Sequence, residues 1–156
     1  MIVVSDTTPI NYLIQIDLID LIPRLYRTAF IPPAVVAELR HPKAPPVVAA
    51  WAANLPEWIV VQEATATTQP IVGLHRGEQD AIALAKSIHA RILLTDDLKA
   101  RTAAHARGIA TVTTLLILDT AADRGWIDFA DALRRLLQTN FRIDRFTVAQ
   151  LLAKHR

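Results

Sequence analysis

Residues 91–112 read RILLTDDLKARTAAHARGIATV. An apolar run, Arg91 to Thr95, is followed by a helical stretch, Leu98 to Arg107, and by a second β-type run, Ile109 to Val112. Gly108 stands where a helix C-terminus favours a residue that tolerates positive φ. Strand, helix and strand in this order predict a parallel pairing, because a crossover helix is the usual link between parallel neighbours.

The same alternation extends in both directions. Ile2 to Ser5 predicts a strand, and Thr8 reads as a helix N-cap with Pro9 at the first helical position, leaving Asp6 free of capping. That helix runs through INYLIQIDLIDL with a break near Pro23. Thr28 to Ile31 predicts a second strand, and Pro32-Pro33 opens a helix through Arg40. HPKAPP (41–46) reads as a loop, VVAAWAANL (47–55) as a helix, and Trp58 to Gln62 as a short peripheral strand. Glu63 to Gly73, rich in Thr and Ala, has the composition of a mobile loop. Gly77 precedes a helix from Glu78 to Ala90. Beyond Val112 lie two or three helices, interrupted at Arg124-Gly125 and around Arg142 to Arg145. The expected fold is α/β, a parallel sheet with helices on both faces. It forms one domain over residues 1–156, with a helical, basic C-terminal segment from about residue 128.

Composition agrees with a folded domain. Of 156 residues, 52% are hydrophobic and 21% charged, a balance outside the disordered range. The absence of cysteine removes disulfides, thiolate catalysis and cysteine-bound zinc, and is compatible with the cytoplasm. MIVVSD has no basic n-region and does not read as a signal peptide. No apolar run reaches the roughly 20 residues of a membrane span. The net charge of +2 conceals a basic tail, where Arg134, Arg135, Arg142, Arg145, Lys154 and Arg156 face Asp144 alone. Such a tail suits a polyanion such as nucleic acid, and equally a solvated helix face. The aromatics Trp51, Trp58, Trp126, Phe141 and Phe146 suit base stacking, but more commonly pack a terminal helix onto a core or a second copy.

The chemistry concentrates in four acidic groups, each at a strand end or on a following helix. They are Asp6 in VVSDTTP, Glu38 in PPAVVAELR, Glu78 and Asp80 in RGEQDAIALA, and Asp96 and Asp97 in ILLTDDLKAR. In an open parallel sheet the strand C-termini share one edge, where ligands bind. Carboxylates gathered there resist ionisation unless a cation neutralises them, and hard oxygen donors select Mg²⁺ or Mn²⁺. Each acid also has an ordinary reading as a turn aspartate, a helix cap, a surface glutamate or a partner of the helix dipole. Asp96 and Asp97 point in opposite directions if extended, so one suits a metal and the other the cap of the next helix. Thr95 can hold a carboxylate through its hydroxyl. The Arg76, Lys99 and Arg101 side chains neighbour these acids and suit phosphate contacts or a solvated surface.

In order and spacing, these motifs resemble the PIN-domain nucleases, particularly the VapC-like toxins of toxin–antitoxin pairs. VVSDTTPINYL is similar to that family's opening strand and Asp-Thr pattern, and IPPAVVAEL to its second acidic motif, carried by Glu38. GEQDAIALA is similar to the central motif, with Asp80 as the third acid and Glu78 characteristic of one subgroup. ILLTDDLKAR resembles the last metal motif, in which the relatives' acid maps onto Asp97 while Asp96 lies nearer the strand tip. The segment TLLILDTAADRGWIDFADALRRLLQTNFRID resembles that subgroup's C-terminal part.

The resemblance implies a three-layer α/β/α sandwich and Mg²⁺ or Mn²⁺ held by Asp6, Asp80, Asp96 and Asp97. Glu38 would complete the shell or position the attacking water. It also implies cleavage of single-stranded RNA, a cognate antitoxin protein and a homodimer in the cytoplasm. Other enzyme motifs are missing: there is no GxSxG, HExxH or P-loop. A catalytically inactive binding or regulatory module, and a DNA-directed nuclease with the same metal chemistry, are the alternatives.

Overall fold

A computed structural model of the chain describes residues 1–65 and 69–156. Five strands, β1 (Val3–Ser5), β2 (Ala29–Ile31), β3 (Ile59–Val61), β4 (Ile92–Leu94) and β5 (Ala110–Val112), form one sheet in the order β3-β2-β1-β4-β5. Every pairing is parallel, with Val4 opposite Phe30 on one side and Leu93 on the other. The chain winds outward from β1 to β3, then returns to the other side of β1 with β4. The strand order therefore reverses between β1 and β4, which makes their C-terminal ends the topological switch point of the sheet.

Each strand is only three residues long, and alternation divides its side chains between two cores. Val3 and Leu94 enter one hydrophobic cluster, while Val4 and Leu93 enter the other. The first cluster is covered by α1 (Thr7–Gln15), α2 (Leu21–Tyr26), α3 (Pro33–Leu39), α4 (Pro46–Ala53), α7 (Thr114–Asp123) and α8 (Phe129–Leu137). The second is covered by α5 (Arg76–Ser87) and α6 (Leu98–His105). This is the three-layer α/β/α arrangement. On α8 the buried residues Phe129, Ala132, Leu133 and Leu136 follow helical spacing and leave Arg134 and Arg135 outside. α9 (Arg145–Lys154) buries no residue fully and rests on Val148, Leu151 and Leu152.

Some boundaries move from the sequence expectation. The helix after β1 begins at Thr7, and Asp6 rather than Thr8 is its N-cap, accepting from the Thr8 backbone N–H at 3.2 Å. Asp6 is therefore not free of capping. The break between α1 and α2 falls at residues 16–20, with Asp17 at φ 60°, and not at Pro23. Pro23 is the third residue of α2, where a proline forfeits no helical hydrogen bond. α5 starts at Arg76, so Gly77 lies inside its first turn. α6 ends at His105 rather than Arg107, with Ala106 as its C-cap, and Gly108 follows in the turn with φ 75°. Of the loop expected at 63–73, residues 66–68 and any mobility there lie outside the described residues.

The aromatics are largely packed. Phe141 meets Tyr12 edge-on at 4.8 Å, Trp51 lies 6.0 Å from Trp58, and the Arg24 guanidinium sits 4.0 Å from the Trp126 ring centroid. Phe146 is exposed. In the basic segment Arg134 and Arg135 both pair with Asp131. No described helix is long and apolar enough to cross a membrane.

Candidate functional site

The switch point places Asp6 directly beyond β1 and Thr95-Asp96 directly beyond β4. The Asp6 backbone N–H donates to the Leu94 carbonyl at 3.0 Å, carrying the β1–β4 ladder one residue past the strands. Asp6 is 1% exposed. Its Oδ2 accepts from the Thr95 hydroxyl at 2.5 Å, and its Oδ1 from the backbone and hydroxyl of Thr8, each at 3.2 Å. Burial pushes the Asp6 carboxyl up to about 8 despite the Thr95 hydrogen bond, and repulsion from Asp96 and Glu78 adds to the shift. A buried acid with two like charges facing it is costly in the ionised form.

The two consecutive aspartates divide their tasks. Asp96 is anchored by Thr114 at the start of α7, whose backbone N–H and hydroxyl both donate to it at 2.7 Å. Burial raises its pKa, opposed by those bonds from Thr114 and by the charge of Arg101. Asp97 caps α6, accepting from the Ala100 N–H at 2.8 Å, yet it remains close enough to Glu78 to repel it.

The central motif places its two acids differently. Glu78 is buried at 4% exposure in the first turn of α5, and burial raises its pKa. The His75 imidazole opposes that rise, while Asp97 and Glu38 add to it. Asp80 is half-buried and pairs with Arg76 at 3.0 Å. It lines a groove between α3 and α5 together with Glu38, Pro33, Ala37 and Ala83.

Glu38 reaches this centre from α3 because α5 leaves room for it. A Cβ on Gly77 would stand 2.3 Å from Glu38 Oε2, so only glycine admits the carboxylate undisturbed. Glu38 Oε1 accepts from the Gly77 N–H at 3.2 Å, and Oε2 accepts from the Thr7 hydroxyl. His75 bridges the two glutamates, its Nδ1 3.1 Å from Glu38 and its Nε2 3.3 Å from Glu78.

Asp6, Glu38, Glu78, Asp96 and Asp97 thus form one neighbourhood, with Asp80 at its rim. Sequence reasoning assigned no role to Thr7, Thr114 or the space at Gly77, and read His75 as an ordinary exposed loop histidine. The threonines carried a faint signal, since Thr7-Thr8 follows Asp6 and Thr113-Thr114 follows the last strand. Oxygen donors such as those at the switch point are the type that hard divalent cations select, and a bound cation would relieve the buried repulsion. Among the described residues, however, only Asp119 and Asp123 on α7 with His155 bring three ligand atoms within 4.8 Å of one another. Lys154 already occupies that group, 2.8 Å from Asp119 and 3.1 Å from Asp123.

Among known proteins, a family model (DUF3368, described as a PIN domain) matches residues 2–156. No curated protein and no solved structure matches the chain. With all but its first residue covered, the chain belongs to the PIN-domain family, whose members are generally metal-dependent nucleases.

Proposed function

We propose that the protein is an endoribonuclease that cuts single-stranded RNA with Mg²⁺ or Mn²⁺, acting as the toxin of a toxin–antitoxin pair. The observation that carries the nuclease reading is the buried Asp6 carboxyl at the switch point, repelled by Asp96 and Glu78. Such repulsion has no value for stability and is relieved by a bound cation. Asp6, Glu78 and Asp96 would hold it, with Asp80 and Asp97 reaching it through water. A cation there lowers the pKa of water and stabilises charge on the phosphate. Thr95 and Thr114 fix the orientation of Asp6 and Asp96, much as outer hydrogen bonds orient metal ligands elsewhere. Glu38, held by Thr7 and Gly77, orients the water that attacks in line with the scissile bond. The preference for RNA, the cognate antitoxin, the homodimer and a cytoplasmic location rest on the resemblance of the motifs to VapC-like toxins.

The test is cleavage of single-stranded RNA and of DNA with matched sequence by protein purified free of any partner, with metal and with chelator. We expect metal-dependent cleavage of RNA, and Asp6→Asn and Asp96→Asn to lose more than the roughly 10–100-fold that outer-shell changes cost. Activity surviving in chelator or in both variants would place the reaction elsewhere. A preference for DNA would remove the RNA assignment while leaving the metal chemistry.

A further inference from the structure

Of the cations that neighbour the acidic motifs in sequence, Arg76, Lys99 and Arg101 are treated unequally by the structure. Arg76 is committed to Asp80. The Lys99 ammonium lies against the loop before α5, 3.1 Å from where a Cβ on Gly73 would stand. Arg101 is different. Its Nε is buried without a hydrogen-bond partner among the described residues, and its guanidinium joins no ion pair among them, although Asp96 is close enough to feel its charge.

We infer that Arg101 binds a backbone phosphate of the nucleic-acid strand at this site, an assignment that rests on the nuclease reading above. Arg101 is the fourth residue of α6, and its backbone N–H donates to the Asp97 carbonyl at 2.9 Å. A cation in the first turns of a helix gains nothing from the helix dipole, which favours anions there. Burying a donor without a partner is uncommon and calls for a reason. Neutralising the carboxylates is the obvious one, yet an arginine serving that end forms a forked pair with a carboxylate, and none is present among the described residues. The guanidinium offers a planar set of donors whose spacing matches two phosphate oxygens. Its charge is felt at Asp96, on the side of the acidic centre that a strand would approach, and with Nε buried the two terminal nitrogens are the donors left for a phosphate. The same placement offsets the repulsion between phosphate and carboxylates as the strand approaches.

The experiment measures binding of a single-stranded RNA oligonucleotide to the full-length Asp6→Asn protein across a series of salt concentrations, with and without Arg101→Gln. Losing one phosphate contact on a single strand lowers the slope of log K against log salt by about 0.7. We expect that change, and an intermediate affinity for Arg101→Lys, which keeps the charge and loses the fork. In the parent background, Arg101→Gln should cut kcat/KM for RNA about 10- to 100-fold, in line with other supporting contacts at metal sites. The Mn²⁺ concentration that half-saturates the shift in melting temperature should stay the same. An unchanged salt slope overturns the inference, as does a change confined to Mn²⁺ affinity, which would make Arg101 a neutraliser of the carboxylates. Parent protein that neither binds nor cuts nucleic acid removes the nuclease reading as well; parent activity that Arg101→Gln fully retains removes only this inference.

Discussion

Asp6 is both the N-cap of α1 and the most deeply buried acid of the sheet edge. The folded protein holds its proton up to about pH 8, whereas an unperturbed carboxyl releases it near 3.8. Between those values the folded state binds more protons than the unfolded one. Stability of the metal-free protein therefore falls as pH rises, by at most about 1.4 kcal/mol per pH unit from this group. Glu78 and Asp96, also raised by burial, slope the same way. We expect the Tm without metal to decline from about pH 4 to about pH 8, and Asp6→Asn to flatten that decline. Asn still accepts from the Thr8 N–H but cannot ionise. An equally steep profile in the variant would locate the costly charge elsewhere. Gly77→Ala separates stability from function at the same site. Alanine gains roughly 0.5–1 kcal/mol over glycine inside a helix, which offsets the lost bond to Glu38. Melting should change little, while cleavage falls because the new methyl displaces the Glu38 carboxylate. Unchanged cleavage would show that the position of Glu38 is unimportant.

At the scale of elements, α9 is the most weakly attached helix, resting on half-buried apolar side chains and a polar clasp. His155 stacks on Phe129 at 4.5 Å and meets Asp119 at 2.6 Å, while Lys154 joins Asp119 to Asp123. Asp119→Asn should raise amide exchange in residues 145–154 about tenfold while leaving α5 protected. Faster exchange throughout the chain would instead mean that the clasp supports the whole fold.

The elements also show how far a single sequence can be read. Residues 91–112 declared their strand–helix–strand order because apolar runs, a helical stretch and Gly108 are local signals. That one of Asp96 and Asp97 caps the next helix was legible too, from the position of the pair just before Leu98. The break before α2 was misplaced because proline disrupts a helix only beyond its first turn, and Asp17 gave no local warning of positive φ. Nor did helical phase separate buried Glu78 from Asp80 at the rim, for both border the apolar stripe. The tie between Glu38 and Gly77 spans 39 residues and depends on how α3 and α5 approach, which no local pattern encodes.

At the scale of the molecule, two cores clamp a sheet of short strands, so the helices carry much of the fold. Phe129, 2% exposed, anchors α8 to the larger core. Phe129→Ala should cost about 3–5 kcal/mol in urea unfolding, and a loss below 1 kcal/mol would indicate that α8 is dispensable to that core. The sheet order has one further consequence. β1 is made first but is flanked by β2 and β4, and Asp96 accepts from the Thr114 backbone and hydroxyl at the start of α7. A chain emerging from a ribosome therefore lacks the complete centre until most of its length has been translated. Abortive fragments that stop short of α7 carry Asp6, Glu78 and Asp96 but lack Thr114, the anchor of Asp96. If the site cuts RNA, the message and the ribosome producing it meet only an incompletely anchored centre until α7 has been made.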